Sequence, residues 1–185
     1  MRLLRHRIRR FAQDQKGLAA LEFALIAPFL LLVYFGTVDL TNWYMAHRRL
    51  VVAGSTIADI TTQQPTVTGG QIGTYWTAIG DIIAPLALAN VNLTMRNYRK
   101  DGNSAKRQWG YNRGASCSAA PDAAALLAIA GSEMTEANDI LIAEVCTTME
   151  PIVLSFFKAE PVEMTYQISM RPRLGKTLDC TAGCN

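Results

Sequence analysis

A long apolar run near the start of the chain constrains its fold more than any other feature. Residues 18 to 38 are 21 consecutive positions with a single charge, that of Glu22. At about 1.5 Å of rise per residue, a helix over this run would be roughly 30 Å long, which matches the hydrocarbon core of a bilayer. The run therefore predicts a transmembrane helix. A carboxylate inside such a span costs on the order of a few kcal/mol, so we expect Glu22 to have a function and a partner.

Positive charge is concentrated before this run. Residues 1–17 carry six Lys or Arg and one Asp, a net charge of +5, whereas the remaining 12 bases and 14 acids give a net charge of −2. Because the cytoplasmic flanks of membrane helices are rich in Lys and Arg, we expect a cytoplasmic N-terminus, one pass through the inner membrane and a periplasmic domain. A domain with this net charge does not supply the basic face that nucleic-acid binding requires, so no nucleic-acid partner is predicted.

Two other kinds of segment share a basic and then apolar N-terminal pattern. An RNA-binding arm would explain the basic residues, but their position directly before a span argues against it. A secretory signal peptide is also basic and then apolar. The apolar run is longer than the usual signal-peptide core of about 7–15 residues, contains Glu22, and has no A-x-A just beyond it.

The junction of the basic and apolar segments resembles the processing site of prepilins. The string KGLAALEF, residues 16 to 23, places Gly17 five positions before Glu22. In that motif an aspartic prepilin peptidase cuts after the glycine and leaves a glutamate at the fifth mature position. The longer string continues to Pro28 and ends with the sequence GTVD at residues 36 to 39. This pattern resembles the TadE-type pseudopilins of tight-adherence (Tad/Flp) pilus machines.

The resemblance implies a non-enzymatic minor pilin that is processed between Gly17 and Leu18 and that primes or tips a type IV pilus used in adhesion. Its implied partners are other pilin or pseudopilin subunits, the prepilin peptidase and the inner-membrane assembly platform. The alternative is a single-pass membrane protein whose periplasmic domain binds a ligand or partner, with Gly17 and Glu22 coincidental. Both a place in the fibre and a place in the membrane remain open.

Each residue of the motif has a physical rationale. Gly17 is expected to offer an extended, side-chain-free backbone to a protease. Cleavage would free an amine on Leu18, which a neighbouring subunit's Glu22 could neutralise when the subunits are in register. Alternatively, the helix dipole stabilises the Glu22 carboxylate, and the side chain extends to the lipid headgroups. Phe23 and Pro28 belong to the same predicted docking segment, and Pro28 should kink or loosen the helix.

The helix is predicted to continue beyond the span. Apolar residues recur at three- and four-residue steps as far as the break at Gln64-Pro65, and Trp43 and Tyr44 lie where an interfacial aromatic belt is expected. The predicted organisation is therefore a basic leader over residues 1–17, a transmembrane and amphipathic spine helix over 18–64, and a periplasmic α+β domain over 65–185.

The rest of the chain predicts a small antiparallel sheet packed on this helix, as in pilin-like proteins. Thr66 to Gly70 is expected to be a turn and linker, and a second short helix follows, carrying Ile72, Trp76, Ile79, Ile83 and Leu86. A strand beginning at Val91 is paired in a hairpin with residues 106–111. Two further strands are predicted over residues 139–148 and 162–170. Asp122 to Ala130 is expected to be a short helix or a loop, and residues 152–157 an apolar turn.

The chain carries no recognisable catalytic signature. Its histidines are His6 and His47, so residues 48 to 185 contain none, and a histidine-based nucleophile or a histidine-ligated zinc is excluded there. Six glutamates of the outer domain are expected to be solvated: Glu133, Glu136, Glu144, Glu150, Glu160 and Glu163. No cofactor and no metal are predicted.

The four cysteines all follow the predicted span: Cys117, Cys146, Cys180 and Cys184. An even number outside the cytoplasm favours two disulfides. Of the three possible pairings we favour Cys117–Cys146 with Cys180–Cys184, because the first would fasten the long alanine-rich segment to a core strand. A four-thiolate zinc site is the alternative, but the spacings lack paired C-x-x-C motifs.

Overall fold

The computed structural model describes residues 17–84, 90–102, 104–117, 138–151 and 160–185. Its elements in chain order are helix α1 (Leu18–Thr62), strand β1 (Thr66–Thr68), helix α2 (Gly69–Ile83) and strands β2 (Val91–Asp101), β3 (Ser104–Arg113), β4 (Asp139–Met149), β5 (Val162–Met170) and β6 (Asp179–Ala182). The predicted α+β class, a long N-terminal helix on a small antiparallel sheet, is confirmed. Residues 1–16 of the predicted leader, the Asp122–Ala130 segment and residues 152–157 lie outside the described residues.

Helix α1 consists of two halves with different surroundings. Its 45 residues extend about 67 Å at the usual helical rise. From Ala46 onward the residues that face the domain are buried, with Ala46, Leu50, Ala53 and Ile57 at three- and four-residue steps. This spacing places one face of the outer half of α1 on the core. The helix ends two residues before Gln64, close to the predicted break.

Strands β2 to β5 form one antiparallel sheet in the order β3-β2-β4-β5. The predicted hairpin joins β2 to β3, and Gly102 at its turn has a φ of 60°, a conformation that glycine adopts without strain. Alternate residues point to the same core, including Leu93, Met95 and Val145. The alternation predicted for residues 162–170 is present, since Met164 is buried whereas Glu163 and Thr165 are exposed.

The outer half of α1 packs directly on β4 and β5. Gly54 makes the approach close: a Cβ added there would lie 2.8 Å from Tyr166 Cδ1 and 3.3 Å from Val145 Cγ2. On its other side α1 contacts α2, whose predicted apolar face is buried at Ile72, Trp76, Ile79 and Ile83. The core therefore lies between the sheet and the two helices.

The predicted turn and linker at residues 66–70 is wrong. Thr66–Thr68 form β1, which pairs in parallel with β6, and Gly69 is the first residue of α2. The reason is a capping box: Gln71 N donates to Thr68 Oγ1 at 3.2 Å, and Thr68 N donates to Gln71 Oε1 at 2.9 Å. These two bonds satisfy donors at the start of the helix, so α2 begins at the glycines.

The C-terminal segment, residues 171–185, is bound along the domain. Trp109 Nε1 donates to the carbonyl of Leu178 at 2.7 Å, and Asp139 N donates to the carbonyl of Lys176 at 2.8 Å. Gly110 and Asn185 exchange two backbone hydrogen bonds of 2.7 and 2.8 Å. The segment is therefore part of the folded domain, in contact with β3, β4 and α2.

Candidate functional site

The inner half of α1 stands free of the domain. Every described side chain from residue 19 to residue 38 is exposed or half-buried, and Phe23 and Leu25 are 68% and 71% exposed. The helix is long and apolar enough to cross a membrane, and none of its most apolar window is buried inside the protein. A core helix of a soluble protein would be covered. This half is therefore a surface suited to lipid or to other membrane helices.

Gly17 and Leu18, the predicted processing site, lie at the beginning of this free half. Gly17 is the N-cap of α1 and is exposed, with no side-chain hydrogen bond capping the helix. Its φ of −85° and ψ of −12° are helical, so the extended backbone expected from the sequence is wrong. An N-cap residue is usually extended when its side chain accepts a bond from the next turn, and glycine has no such acceptor. A protease would have to unwind this end of the helix.

Glu22 lies one helical turn after Leu18 on the free half. Its side chain is exposed, and it forms no hydrogen bond or ion pair within the part of the chain that the structure describes. Four residues separate the two positions, or about 6 Å along the axis, so they lie on the same side of the helix. The structure therefore leaves the Glu22 carboxylate accessible to a second chain.

Phe23 and Pro28, the other predicted docking residues, are also exposed on the free half. Helix α1 continues through Pro28 without interruption. At the outer end, a Cβ added to Gly36 would have no atom within 4 Å. The surface from residue 19 to residue 35 is thus largely uncovered by the rest of the described protein.

The cysteines pair as favoured from the sequence. Cys117 is bonded to Cys146 of β4, and Cys180 of β6 is bonded to Cys184. Both bridges lie in the domain rather than on the free half of α1. Cys146 is buried on the face of β4 that points away from α1, and the first bridge fastens Cys117, next to the undescribed residues 118–137, to that strand.

Charged groups inside the domain hold strands together instead of forming a reactive site. Glu144 was expected to be solvated, but it is buried in an ion pair with Arg96 at 3.0 Å, and Arg96 also donates to Ser116 Oγ at 3.1 Å. The alternation of side chains along β4 places Glu144 on the face of the sheet where Arg96 of the neighbouring strand β2 supplies the cation. Of the other glutamates, Glu150, Glu160 and Glu163 are exposed as predicted, whereas Glu133 and Glu136 lie outside the described residues.

A second buried carboxylate, that of Asp139, was missed by the sequence analysis. Its Oδ1 accepts from Arg99 Nε at 2.6 Å, and its Oδ2 accepts from Arg99 Nη2 at 2.9 Å, Asn97 Nδ2 at 2.8 Å and the Leu178 backbone at 2.8 Å. The hydrogen bonds to this carboxylate raise the pKa of the Arg99 guanidinium. Asp139 is fully buried, so its role is to join β2, β4 and the C-terminal segment.

The described segments contain no candidate metal-binding group. None of their His, Cys, Asp and Glu residues form a group of three or more that could hold a metal ion. His47 is exposed on α1, and His6 lies outside the described residues.

The family model described as TadE-like protein matches residues 17–59. The match begins at the N-cap of α1 and ends near its last turn, so it covers the predicted processing site, the free half and most of the packed half. The predicted resemblance to TadE-like proteins is confirmed over this stretch. No curated protein and no solved structure matches the chain.

Proposed function

We propose that this chain is a TadE-like minor pilin or pseudopilin that takes part in assembling a Tad pilus and performs no catalysis. The observation that carries the proposal is a coincidence of two boundaries. The match to the TadE-like family begins at Gly17, where the exposed, apolar half of α1 also begins. Similarity to this family suggests a protein associated with the Tad pilus, and an uncovered apolar helix is suited to packing among other membrane helices.

Processing is proposed to occur between Gly17 and Leu18 by a prepilin peptidase. Gly17 is exposed and has no side chain, and the bond lies at the end of α1, where only terminal turns need to unwind. Helix ends fray readily, so the helical dihedral angles of Gly17 are a modest obstacle. The product would begin with a free amine at the first residue of α1.

Docking is proposed to use this amine and the Glu22 of a neighbouring subunit. Two charges that are each unfavourable in lipid would neutralise one another only when the helices are in register. Pairing within one chain competes, because the amine and Glu22 lie about 6 Å apart along the same helix. Phe23 and Pro28 are exposed on the same free half of α1 and would form the apolar part of the contact.

The proposed location is the inner membrane, with the N-terminus in the cytoplasm and the sheet domain in the periplasm. The apolar helix fits a membrane anchor. An oxidising periplasm would preserve both disulfides, so the cysteines of protein from native membranes should resist alkylation until a reductant is added. Immunolabelling of sheared pili would show whether the chain also enters the fibre.

The first test is mass spectrometry of the mature N-terminus in the native host. A chain that begins at Leu18 supports processing, and a Gly17→Phe variant should remain full-length while still inserting into the membrane. Gly36→Ala is the matched control, because it changes a glycine 19 residues away from the proposed cleavage site and should be processed normally. Normal processing of Gly17→Phe would contradict the proposed site.

The second test separates docking between subunits from a solitary charge at the membrane edge. Glu22→Gln keeps the size of the side chain and removes its charge, so we expect normal processing and insertion but reduced co-purification with other pilins and fewer pili. Glu163→Gln, an exposed glutamate of β5, controls for loss of one charge. Unchanged co-purification and pilus number in Glu22→Gln would show that Glu22 does not dock a neighbour.

A further inference from the structure

An open apolar groove lies where α1 leaves the predicted membrane span and meets the lower end of the sheet. Its volume is about 350 Å³, near the lower end of the range of about 300–1,000 Å³ for small-molecule sites. Gly36, Leu40 and Trp43 line it at four- and three-residue steps along one face of the helix. Met149, Pro151 and Val162 of the sheet end form the opposite wall. Asp39, Asn42 and Glu150 also line the groove, but its exposed surface is mostly apolar.

The groove lies at the depth where α1 would leave the bilayer on its periplasmic side. Gly36 and Trp43 follow Leu18 by 18 and 25 residues, which places them about 27 and 38 Å along the helix. A hydrocarbon core of about 30 Å that begins at Leu18 would end between these two residues, and the headgroup layer would reach Trp43. The wall formed by Met149 and Val162 therefore lies against the bilayer surface.

Among the described residues, the groove is continuous with the free half of α1 and is open to solvent. Leu40, Trp43 and Val162 are 61%, 43% and 39% exposed. A neutral, narrow hydrocarbon chain suits both the apolar walls and the depth.

We propose that this groove holds the upper part of an acyl chain from an outer-leaflet phospholipid, so that the β4–β5 end of the sheet rests on the bilayer. The domain would then be held at a fixed height by α1 and by the lipid together. This inference rests on the membrane-anchored placement of α1 in the proposed function, and the test below separates the two.

The test uses full-length protein in phosphatidylcholine vesicles whose acyl chains carry bromine in their upper half, since bromine quenches tryptophan at contact. In a Trp43→Phe background, Trp76 and Trp109 remain as buried, constant emitters. Val162→Trp then reports on the groove, and Met149→Trp is a second reporter should the first variant fold poorly. Tyr34→Trp reports on the span, and Thr165→Trp, exposed on the other face of β5, is the matched control.

We expect brominated lipid to quench Val162→Trp to the same order as Tyr34→Trp and to leave Thr165→Trp unchanged. Gly36→Leu, whose added side chain enters open space, should reduce the quenching of Val162→Trp without affecting Tyr34→Trp. Quenched Tyr34→Trp with unquenched Val162→Trp and Met149→Trp would overturn the groove proposal while leaving the membrane anchor intact. Unquenched Tyr34→Trp would overturn the anchor itself. If the quenching of Val162→Trp disappears as the protein density in the vesicles rises, the groove binds a second copy of the chain, and the acyl-chain proposal is overturned.

Discussion

Replacing Asp139 with Asn should substantially destabilise the domain. The carboxylate accepts four hydrogen bonds of 2.6 to 2.9 Å from Arg99, Asn97 and the backbone of Leu178. An amide keeps one acceptor atom and turns the other into a donor that faces donors. The Arg99 charge also loses its main partner.

The expected cost follows from the burial of the pair. Removing one partner of a buried ion pair costs about 3–5 kcal/mol. The side chain of Asp139 is fully buried, but that of Arg99 is 29% exposed and can be partly hydrated, which places the loss at the lower end, about 3 kcal/mol. Urea unfolding of full-length protein in detergent, followed by tryptophan fluorescence, would measure it, because Trp109 donates to the same Leu178 whose backbone Asp139 binds.

Asp179→Asn is the matched control. Asp179 also contacts Arg99, at 3.3 Å, but its side chain is 58% exposed, so its loss should cost no more than about 1 kcal/mol. Equal losses for the two variants, or a change below about 0.5 kcal/mol for Asp139→Asn, would refute the argument that a buried carboxylate joins the strands to the C-terminal segment.

Three further predictions concern packing and protonation. Gly54→Leu should lower the free energy of unfolding by about 1–3 kcal/mol through overpacking against the sheet. Gly36→Leu, whose Cβ would have no atom within 4 Å, should change it little in the same urea assay. Gly69→Ala should lower the free energy of unfolding by an amount similar to that for Gly54→Leu and expose the C-terminal segment to protease, because its Cβ would lie 2.0 Å from a backbone oxygen. Gly70→Ala is the control and should be neutral. Equal protease resistance of the two variants would contradict this prediction. Burial raises the pKa of the Tyr98 phenol, so the neutral form is favoured in the folded state, and the stability that this provides is present below the ordinary pKa and lost as pH rises through the raised one. Tyr98→Phe should therefore unfold less readily than the parent at alkaline pH. Near neutrality the exchange should cost little stability, because the buried hydroxyl has no hydrogen-bond partner among the described residues. An equal loss of folded protein at alkaline pH in both proteins, followed by circular dichroism, would argue against this prediction.

The elements predicted from the sequence are those with a strong local pattern. The length of α1 follows from an apolar run and a continuing three- and four-residue period, and β4 and β5 follow from apolar and alternating runs. The β1–β6 pair was missed, because three residues of one segment and four of another, more than 100 positions away, carry no pattern until they meet. The start of α2 was also missed, although the Thr68-x-x-Gln71 spacing was a usable signal.

The residues of the candidate site show the same difference between local patterns, which the sequence reveals, and long-range contacts, which it does not. Gly17 and Glu22 were found because their spacing is itself the motif. The buried ion pairs could not be found, since Glu144 and Asp139 obtain their cations from β2, more than 35 residues earlier, through strand register. Likewise, the groove consists of one wall from α1 and one from residues more than 100 positions later, and only the fold brings them together.

In the proposed topology, the position of residues 171–185 has a consequence for the order of events during export. These residues supply β6, the partner of Trp109 and the backbone partners of Gly110, so the domain lacks these contacts until they have crossed the membrane. Helix α1 would be inserted early, whereas the outer domain could not complete its contacts until residues 171–185 had followed. A subunit arrested part-way would thus be anchored but unfinished, open to periplasmic proteases, and its removal would act as a check on completeness before any partner is engaged.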